Sequence, residues 1–284
     1  MGQPPGRFDL TMQQLRLAIL SNAGGSGKTT LTTHLTYLLA KARYSVVTID
    51  LDPQGSINLF CGLERPTSER TISKVLCDDK FNGRWPLVKL WEDQVKNAYA
   101  IQGDLGLVKS INELVLHDRG AYLLSDRLSD YPLEQDVVIF DCPATLGPLT
   151  TIAITSATHI IIPIQVEPKS TCGASRLFEW LYERFTTLRL KPQPKILGIV
   201  PLQYDLNTAI HRNLLKQLPP MLEPLGIPCF NPIRYSKEFK NASAMGLPLH
   251  LYKGKHPACQ DFNEVLKTLK AELVEEQQQL WAAG

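Results

Sequence analysis

The clearest chemical signal in the chain is a glycine-rich loop, NAGGSGKTT, at residues 22–30. It follows the apolar run LRLAIL and precedes LTTHLTYLLAKA, so it joins a predicted strand to a predicted helix. In G-x-x-x-x-G-K-[ST] loops the backbone N–H groups surround phosphate oxygens, and the next helix points its positive dipole end at the same anion. We therefore predict a nucleoside triphosphate site formed by Gly24, Gly25, Ser26, Gly27, Lys28, Thr29 and Thr30.

Within this loop each residue type suits one task. Gly24 and Gly25 let the backbone approach the phosphates, Lys28 supplies positive charge to the β- and γ-phosphates, and the Thr29 hydroxyl is placed to bind Mg²⁺. The expected ligands are thus a nucleoside triphosphate and Mg²⁺.

A carboxylate motif, TIDLDPQGS, ends the next apolar run and contains Asp50 and Asp52. Phosphoryl transfer requires an in-line nucleophile and little else from the protein, so we predict that Asp52 orients or activates the attacking water. The alternative, that the carboxylate only caps the turn at Pro53, is stronger for Asp50.

A third motif, VVIFDCPATLG, places Asp141 after four apolar residues. An acidic residue at this strand end suits Mg²⁺, held directly or through a water molecule. The small residues that follow form a loop that could move when the γ-phosphate leaves. Cys142 has no base at a recognisable spacing and is interpreted as a packing residue.

The elements that must position these motifs are short apolar runs alternating with helical patterns. Continuous rather than alternating apolarity is typical of strands covered on both faces, so we predict an α/β fold with a mostly parallel central sheet and helices on both faces. Predicted strands cover 15–20, 45–50, 137–141, 159–165, 196–201 and 228–233, and predicted helices cover Leu31–Ala42 and Ser170–Leu190. Residues 61–120 are less regular, apart from a strand and turn in AYAIQGDLGL.

The chain as a whole is predicted to be one domain, 14–284, preceded by a mobile tail at 1–13, with translation starting at Met1 or Met12. A net charge of +2 and scattered cysteines argue against a strongly basic protein and against a paired-cysteine metal site. The helical pattern near the C-terminus carries five acidic residues against two Lys between Gln260 and Gly284, which anionic lipid would repel. We expect it to pack on its own domain in a cytosolic protein.

Together, the motifs G-G-x-G-K-T-T, D-L-D-P-Q-G and D-C-P-A-T-L-G resemble those of the ParA/MinD family of P-loop ATPases. YAIQGDLGL and PIRYSKEFKNASAMGLPLHLY are similar to further segments of that family, and the resemblance extends from about Leu15 to Leu273. It implies slow ATP hydrolysis and a homodimer with nucleotides sandwiched between the protomers. Pro201 and Ile233 mark segments expected to lie near adenine.

ParA-like members bind DNA without sequence preference in the ATP state, and a partner on the cargo stimulates hydrolysis. The acidic C-terminus favours this branch over MinD-like membrane binding. The resemblance therefore implies a nucleoid-associated protein with a ParB-like or McdB-like adaptor, positioning a plasmid, a chromosome or a carboxysome. Such DNA contact would be made by basic residues late in the chain: Arg212, Lys216, Arg234, Lys237 and Lys240.

One position departs from the family pattern. The family usually has a Lys immediately before the paired glycines, which reaches the partner's phosphates; here that residue is Ala23. McdA-like carboxysome-positioning proteins resemble this chain in lacking it. Its absence leaves three possibilities: no stabilisation of charge across the dimer, a slower ATPase, or a cation supplied from elsewhere. Lys169 is the candidate for that cation, and an ordinary exposed role for Lys169 is an equal alternative.

Two other classes remain open from the sequence. A metabolic P-loop enzyme would require either paired cluster cysteines, which the scatter argues against, or a small-molecule pocket. A MinD-like membrane-associated ATPase would require a membrane-binding terminus.

Overall fold

Eight strands form one sheet in the computed structural model, which describes residues 14–283 except for the side chains of 169–172 and 276–283. The predicted tail at 1–13 lies outside the described residues. The strands are β1 (Leu15–Ile19), β2 (Val46–Asp50), β3 (Val88–Lys89), β4 (Ala98–Ile101), β5 (Val137–Asp141), β6 (His159–Gln165), β7 (Lys195–Tyr204) and β8 (Ile233–Arg234).

The sheet has the order β3-β4-β2-β5-β1-β6-β7-β8. All neighbouring strands run parallel except β3 and β4, which are antiparallel. The parallel strands require crossovers, which helices supply. These helices are α1 (Lys28–Lys41), α2 (Ser56–Phe60), α3 (Ile72–Cys77), α4 (Gly106–Leu116), α5 (Leu123–Asp130), α6 (Pro148–Ser156), α7 (Pro168–Thr187), α8 (Ala209–Leu222), α9 (Lys237–Ala244), α10 (Leu249–Tyr252) and α11 (Asn263–Ala283).

Two hydrophobic layers cover the sheet. Along β1, Leu17 and Ile19 belong to the layer that includes residues of α1 and α11. Ala18 and the following Leu20 belong to the opposite layer, with residues of α4, α6 and α7. This alternation confirms the predicted α/β class with helices on both faces.

The predicted bounds of the last strand, 228–233, are wrong. Only Ile233 and Arg234 form β8, while Cys229 makes an isolated bridge to Ile199. Proline has no backbone N–H, and Pro228 and Pro232 interrupt the pairing that the apolar run suggested. In contrast, the strands predicted at 137–141 and 159–165 have the observed bounds.

The C-terminal helix packs on its own domain, as expected. Val265, Leu269 and Leu273 are buried with Phe262 in the layer that includes α1. Within the residues that the structure describes, no helix combines the length and the apolarity needed to cross a bilayer.

Candidate functional site

The three sequence motifs meet at one edge of the sheet. Ile19 at the end of β1 pairs with Asp141 at the end of β5, and Asp141 also pairs with Asp50 at the end of β2. The loop 22–30 leaves β1 at this edge and enters α1 at Lys28. Parallel topology thus brings together segments separated by about a hundred residues, at the edge where α/β folds bind their ligands.

Glycines shape the phosphate loop. Gly25 and Gly27 have φ angles of +74° and +87°, which favour glycine. A Cβ on Gly27 would lie 2.5 Å from Leu202 Cδ1, whereas a Cβ on Gly24 or Gly25 would meet nothing within 4 Å. Leu202 therefore supports the loop at Gly27, while Gly24 and Gly25 leave open space that a phosphate group fits.

Lys28 is buried at the base of this loop. Its Nζ donates hydrogen bonds to the Ala23 carbonyl (3.2 Å) and to Ser21 Oγ (3.3 Å). Burial lowers the pKa of Lys28, and the negative charge of Asp141 opposes that shift. The ammonium group is held by the loop itself, next to the predicted phosphate position.

Asp141 is a fully buried carboxylate beside Lys28. Its Oδ2 accepts a hydrogen bond from Thr29 Oγ1 at 2.8 Å, and its Oδ1 accepts one from Thr32 Oγ1 at 3.0 Å. Burial raises the pKa of Asp141 to about 6, while the Thr29 hydrogen bond and the charge of Lys28 act in the opposite direction. The hydroxyl and carboxylate predicted for the metal are therefore in direct contact.

These oxygen atoms fit Mg²⁺. Mg²⁺ usually binds proteins through one or two oxygen ligands and takes the rest from water and phosphate. Among the described residues no group of three or more His, Cys, Asp or Glu is placed to hold a metal alone. Thr29 and Asp141 therefore suit a metal that arrives with a nucleotide.

Asp50 and Asp52 differ in what their oxygens contact. Asp50 is fully buried, and its two oxygens accept hydrogen bonds from the backbone N–H groups of Asp52 (3.0 Å) and Ile57 (3.1 Å). Burial and the charge of Asp141 raise the pKa of Asp50. Asp52 is partly exposed and lines the cavity; its Oδ1 also accepts the Gln54 N–H at 2.9 Å. Asp50 thus holds the turn, while Asp52 both caps it and faces the cavity.

A cavity of about 340 Å³ joins the loop to the late part of the chain. Its lining includes Asp52, Ile233, Tyr235 and Phe239 as well as the phosphate loop. Ile233, which was predicted to lie near adenine, is therefore part of the same cavity as the phosphate loop. Pro201 is buried in β7 and does not line the cavity, whereas the next two residues, Leu202 and Gln203, do.

Two hydrogen bonds to the phosphate loop were not predicted from the sequence. Gln203, at a φ angle of +60°, donates from Nε2 to the Gly25 carbonyl at 2.6 Å. Asn22 Nδ2 donates to the Gly173 carbonyl of α7 at 2.7 Å. Both join positions more than a hundred residues apart, so no local pattern could reveal them.

The predicted basic residues fall into different environments. Arg212 and Lys216 are exposed on α8, and Lys237 and Lys240 are exposed on α9, with Lys240 also at the cavity. Arg234 lines the cavity and donates two hydrogen bonds to Asp261, each 2.7 Å long.

Lys169 is the second residue of α7, and its side chain lies outside the described part of the structure. Cys142 is fully buried, which raises its thiol pKa, in keeping with a packing role.

Fold and site together define a P-loop ATPase of the ParA/MinD type. A family model described as an AAA domain matches residues 15–192, and the chain belongs to that family.

Its relatives include partitioning proteins. The chromosome partitioning protein ParA of Myxococcus xanthus is 27% identical, over 87% of this chain and 85% of its own length. The structure of apo McdA from Cyanothece has a TM-score of 0.79 and 25% identity, covering 90% of this chain and all of its own. These similarities support membership in the ParA- and McdA-like partitioning ATPases.

A metabolic enzyme shares the fold. The cobyrinic acid a,c-diamide synthase of Mycobacterium smegmatis, with bound ADP and magnesium, has a TM-score of 0.70 and 26% identity, covering 86% of this chain and 97% of its own. Its ligands indicate nucleotide and magnesium use within this family.

Proposed function

We propose that this chain hydrolyses ATP to ADP and phosphate with Mg²⁺. The observation that carries the proposal is the 2.8 Å contact between Thr29 Oγ1 and Asp141 Oδ2 beside the buried Lys28, at the mouth of an open glycine loop. Lys28 and the loop backbone bind the phosphates, Thr29 and Asp141 hold Mg²⁺, directly or through water, and Asp52 orients the attacking water. The metal neutralises charge on the phosphate oxygens.

At the molecular scale the proposed role is cargo positioning. Residues 14–284 act as one domain that forms a homodimer around ATP and then binds DNA without sequence preference. Exposed Arg212, Lys216, Lys237 and Lys240 supply the DNA contacts, whereas Arg234, paired with Asp261, contributes less. A ParB-like or McdB-like adaptor stimulates hydrolysis, and the protein acts in the cytoplasm on the nucleoid. The partitioning relatives support this role.

The residue at position 23 affects the expected rate of ATP hydrolysis. Without a Lys there, charge across the dimer is either unstabilised or supplied by Lys169 of the partner. The Asn22–Gly173 hydrogen bond ties the loop to α7, the helix that carries Lys169. We expect slow basal turnover, and a lower rate in Lys169→Ala if that residue acts across the dimer.

An ATP-dependent synthetase is a second candidate, favoured by the similarity to cobyrinic acid a,c-diamide synthase. It requires no DNA binding. A nucleotide-dependent response to DNA therefore distinguishes the two functions.

The test of hydrolysis is Thr29→Val, which removes the hydroxyl but keeps the side-chain shape. We expect kcat for phosphate release from Mg·ATP to fall by about 100-fold, equivalent to about 2.7 kcal/mol of transition-state stabilisation. Thr36→Val is the control, because that hydroxyl on the same helix contacts Thr48 (2.6 Å) rather than Asp141. Equal rates in the Thr29 variant and the wild type would refute the metal assignment.

A further inference from the structure

A second large cleft lies at the opposite edge of the sheet from the phosphate loop. Its volume is about 540 Å³, and its lining includes Arg16 of β1, Thr158 and His159 at the start of β6, and Pro194 just before β7. The end of α6, the start of α5 and the segment that follows α7 complete the walls. None of the motifs used for nucleotide binding reaches this cleft.

The charged residues that line the cleft are positive. Arg16, Arg189 and Lys191 line it, and no Asp or Glu does. In the described part of the chain, none of these three side chains forms an ion pair. His159 also lines the cleft, but it contacts Glu272 at 3.2 Å, and burial lowers its pKa. The positive charge therefore comes from the two Arg and the Lys.

Arg16 is the most confined of these cations. Its backbone N–H donates to Thr158 Oγ1 at 2.9 Å, and its carbonyl accepts the Thr158 N–H at 2.8 Å, so its backbone is fixed beside another lining residue of the cleft. Its Nε donates to Gln14 Oε1 at 2.9 Å. Burial lowers the pKa of Arg16, and no carboxylate offsets that shift. A partly buried guanidinium without an acidic partner costs free energy that a bound anion would offset.

We propose that this cleft binds a small phosphate-bearing anion. Guanidinium groups pair with phosphate oxygens through two parallel hydrogen bonds, and two such groups with a Lys match a polyanion. The volume falls within the range of small-molecule sites, about 300–1,000 Å³. A recessed cation favours a small ligand over duplex DNA, whose phosphates are met by side chains on an open surface.

The test measures binding of inorganic pyrophosphate by calorimetry, without Mg²⁺, in the Lys28→Ala background. That background weakens the phosphate loop, so the result does not depend on whether the chain hydrolyses ATP. We expect one site per chain, weakened about tenfold or more by Arg16→Gln and by Arg189→Gln, since each change removes a charge-assisted hydrogen bond to the anion. Arg84→Gln, an exposed cation in the loop before β3 that lies outside the cleft and outside the proposed DNA surface, is the matched control and should leave the affinity unchanged.

Three results would overturn the proposal: no pyrophosphate binding, affinity unchanged in the exposed Arg189→Gln variant, or an equal loss in Arg84→Gln. Arg189 is on the surface, so its variant tests the cleft even if Arg16→Gln does not fold. If the Arg16 and Arg189 variants abolish duplex DNA binding while pyrophosphate does not bind, the cleft contacts DNA and the small-ligand proposal is wrong.

Discussion

At the residue scale, burial separates three neighbouring carboxylates that look alike in the sequence. Asp50 and Asp141 are fully buried, but Asp50 uses both oxygens on backbone N–H groups, whereas Asp141 contacts hydroxyls of Thr29 and Thr32. Asp52 alone of the three is part-exposed to the cavity. The motif D-L-D-P predicted that one Asp would serve the turn and another the reaction, and the exposed fraction of each supports the proposed division.

His34 shows what residue types alone could not predict. It was one of six His without ligand spacing, yet it is buried in α1, with its Nδ1 on the Thr30 carbonyl (2.6 Å) and its Nε2 accepting the Leu249 N–H (3.0 Å). Its ring stacks on Phe262 at 4.7 Å between centroids. Burial lowers the pKa of His34 to about 3, so the folded protein holds it neutral.

The shifted pKa predicts acid sensitivity. Above pH 6.5 the unfolded His is neutral too, and its full contribution to stability is present; that contribution is lost as the pH falls toward about 3, where the folded form also binds the proton. Between pH 7 and pH 5 the wild type should lose about 2 kcal/mol more unfolding free energy than His34→Asn. Urea unfolding of both proteins at the two pH values measures this, and equal losses would contradict a neutral His34.

At the element scale, the end of β7 braces the phosphate loop. Leu202 packs where a Cβ on Gly27 would be, and Gln203 donates to the Gly25 carbonyl at 2.6 Å from a left-handed backbone conformation. A residue other than glycine rarely adopts such a φ angle. We infer that the Gln203 side chain positions the phosphate loop, and that its hydrogen bond to Gly25 offsets the strain of the Gln203 backbone.

Gln203→Gly tests this brace, because glycine accepts the backbone angle while the hydrogen bond is removed. We expect ATP affinity to fall about fivefold to tenfold, the equivalent of one hydrogen bond of about 1–1.5 kcal/mol, with little change in unfolding free energy. Titration with a fluorescent ATP analogue measures the Kd, and Gln217→Gly on exposed α8 provides the comparison. An unchanged Kd in the Gln203 variant would mean that the loop keeps its shape without this contact.

Much of the element pattern could be predicted because buried parallel strands are continuous apolar runs. That signal gave β5 and β6 their bounds, whereas α1 begins at Lys28, three residues before the predicted start at Leu31. It failed at 228–233, where prolines interrupt an apolar segment, and over 61–120, where short helices and strands lack a clear period. The contacts of Gln203 and Asn22 depend on tertiary packing, which the local sequence does not encode.

At the scale of the whole molecule, the sheet order explains why distant motifs form one site. β2, β5 and β1 are neighbours, so three loops separated in sequence end at one edge, while Arg16, Thr158 and Arg189 meet at the other. The sequence predicted the first edge from its motifs. It gave no sign of the second, because single Arg and Lys residues are common on surfaces and only folding places them in one cleft.

In the proposed function ATP switches this chain onto DNA, and the most direct measurement is the affinity of the chain for an unrelated DNA duplex with ATP, with ADP and without nucleotide. We predict binding at low salt with ATP alone, retained by Asp52→Ala because hydrolysis is blocked, and lost in Lys28→Ala because the nucleotide no longer binds. Affinity should fall steeply as salt is raised, since each phosphate contact releases counterions. Failure of the ATP-loaded wild type to bind DNA, or equal binding in all three nucleotide states, would contradict the account.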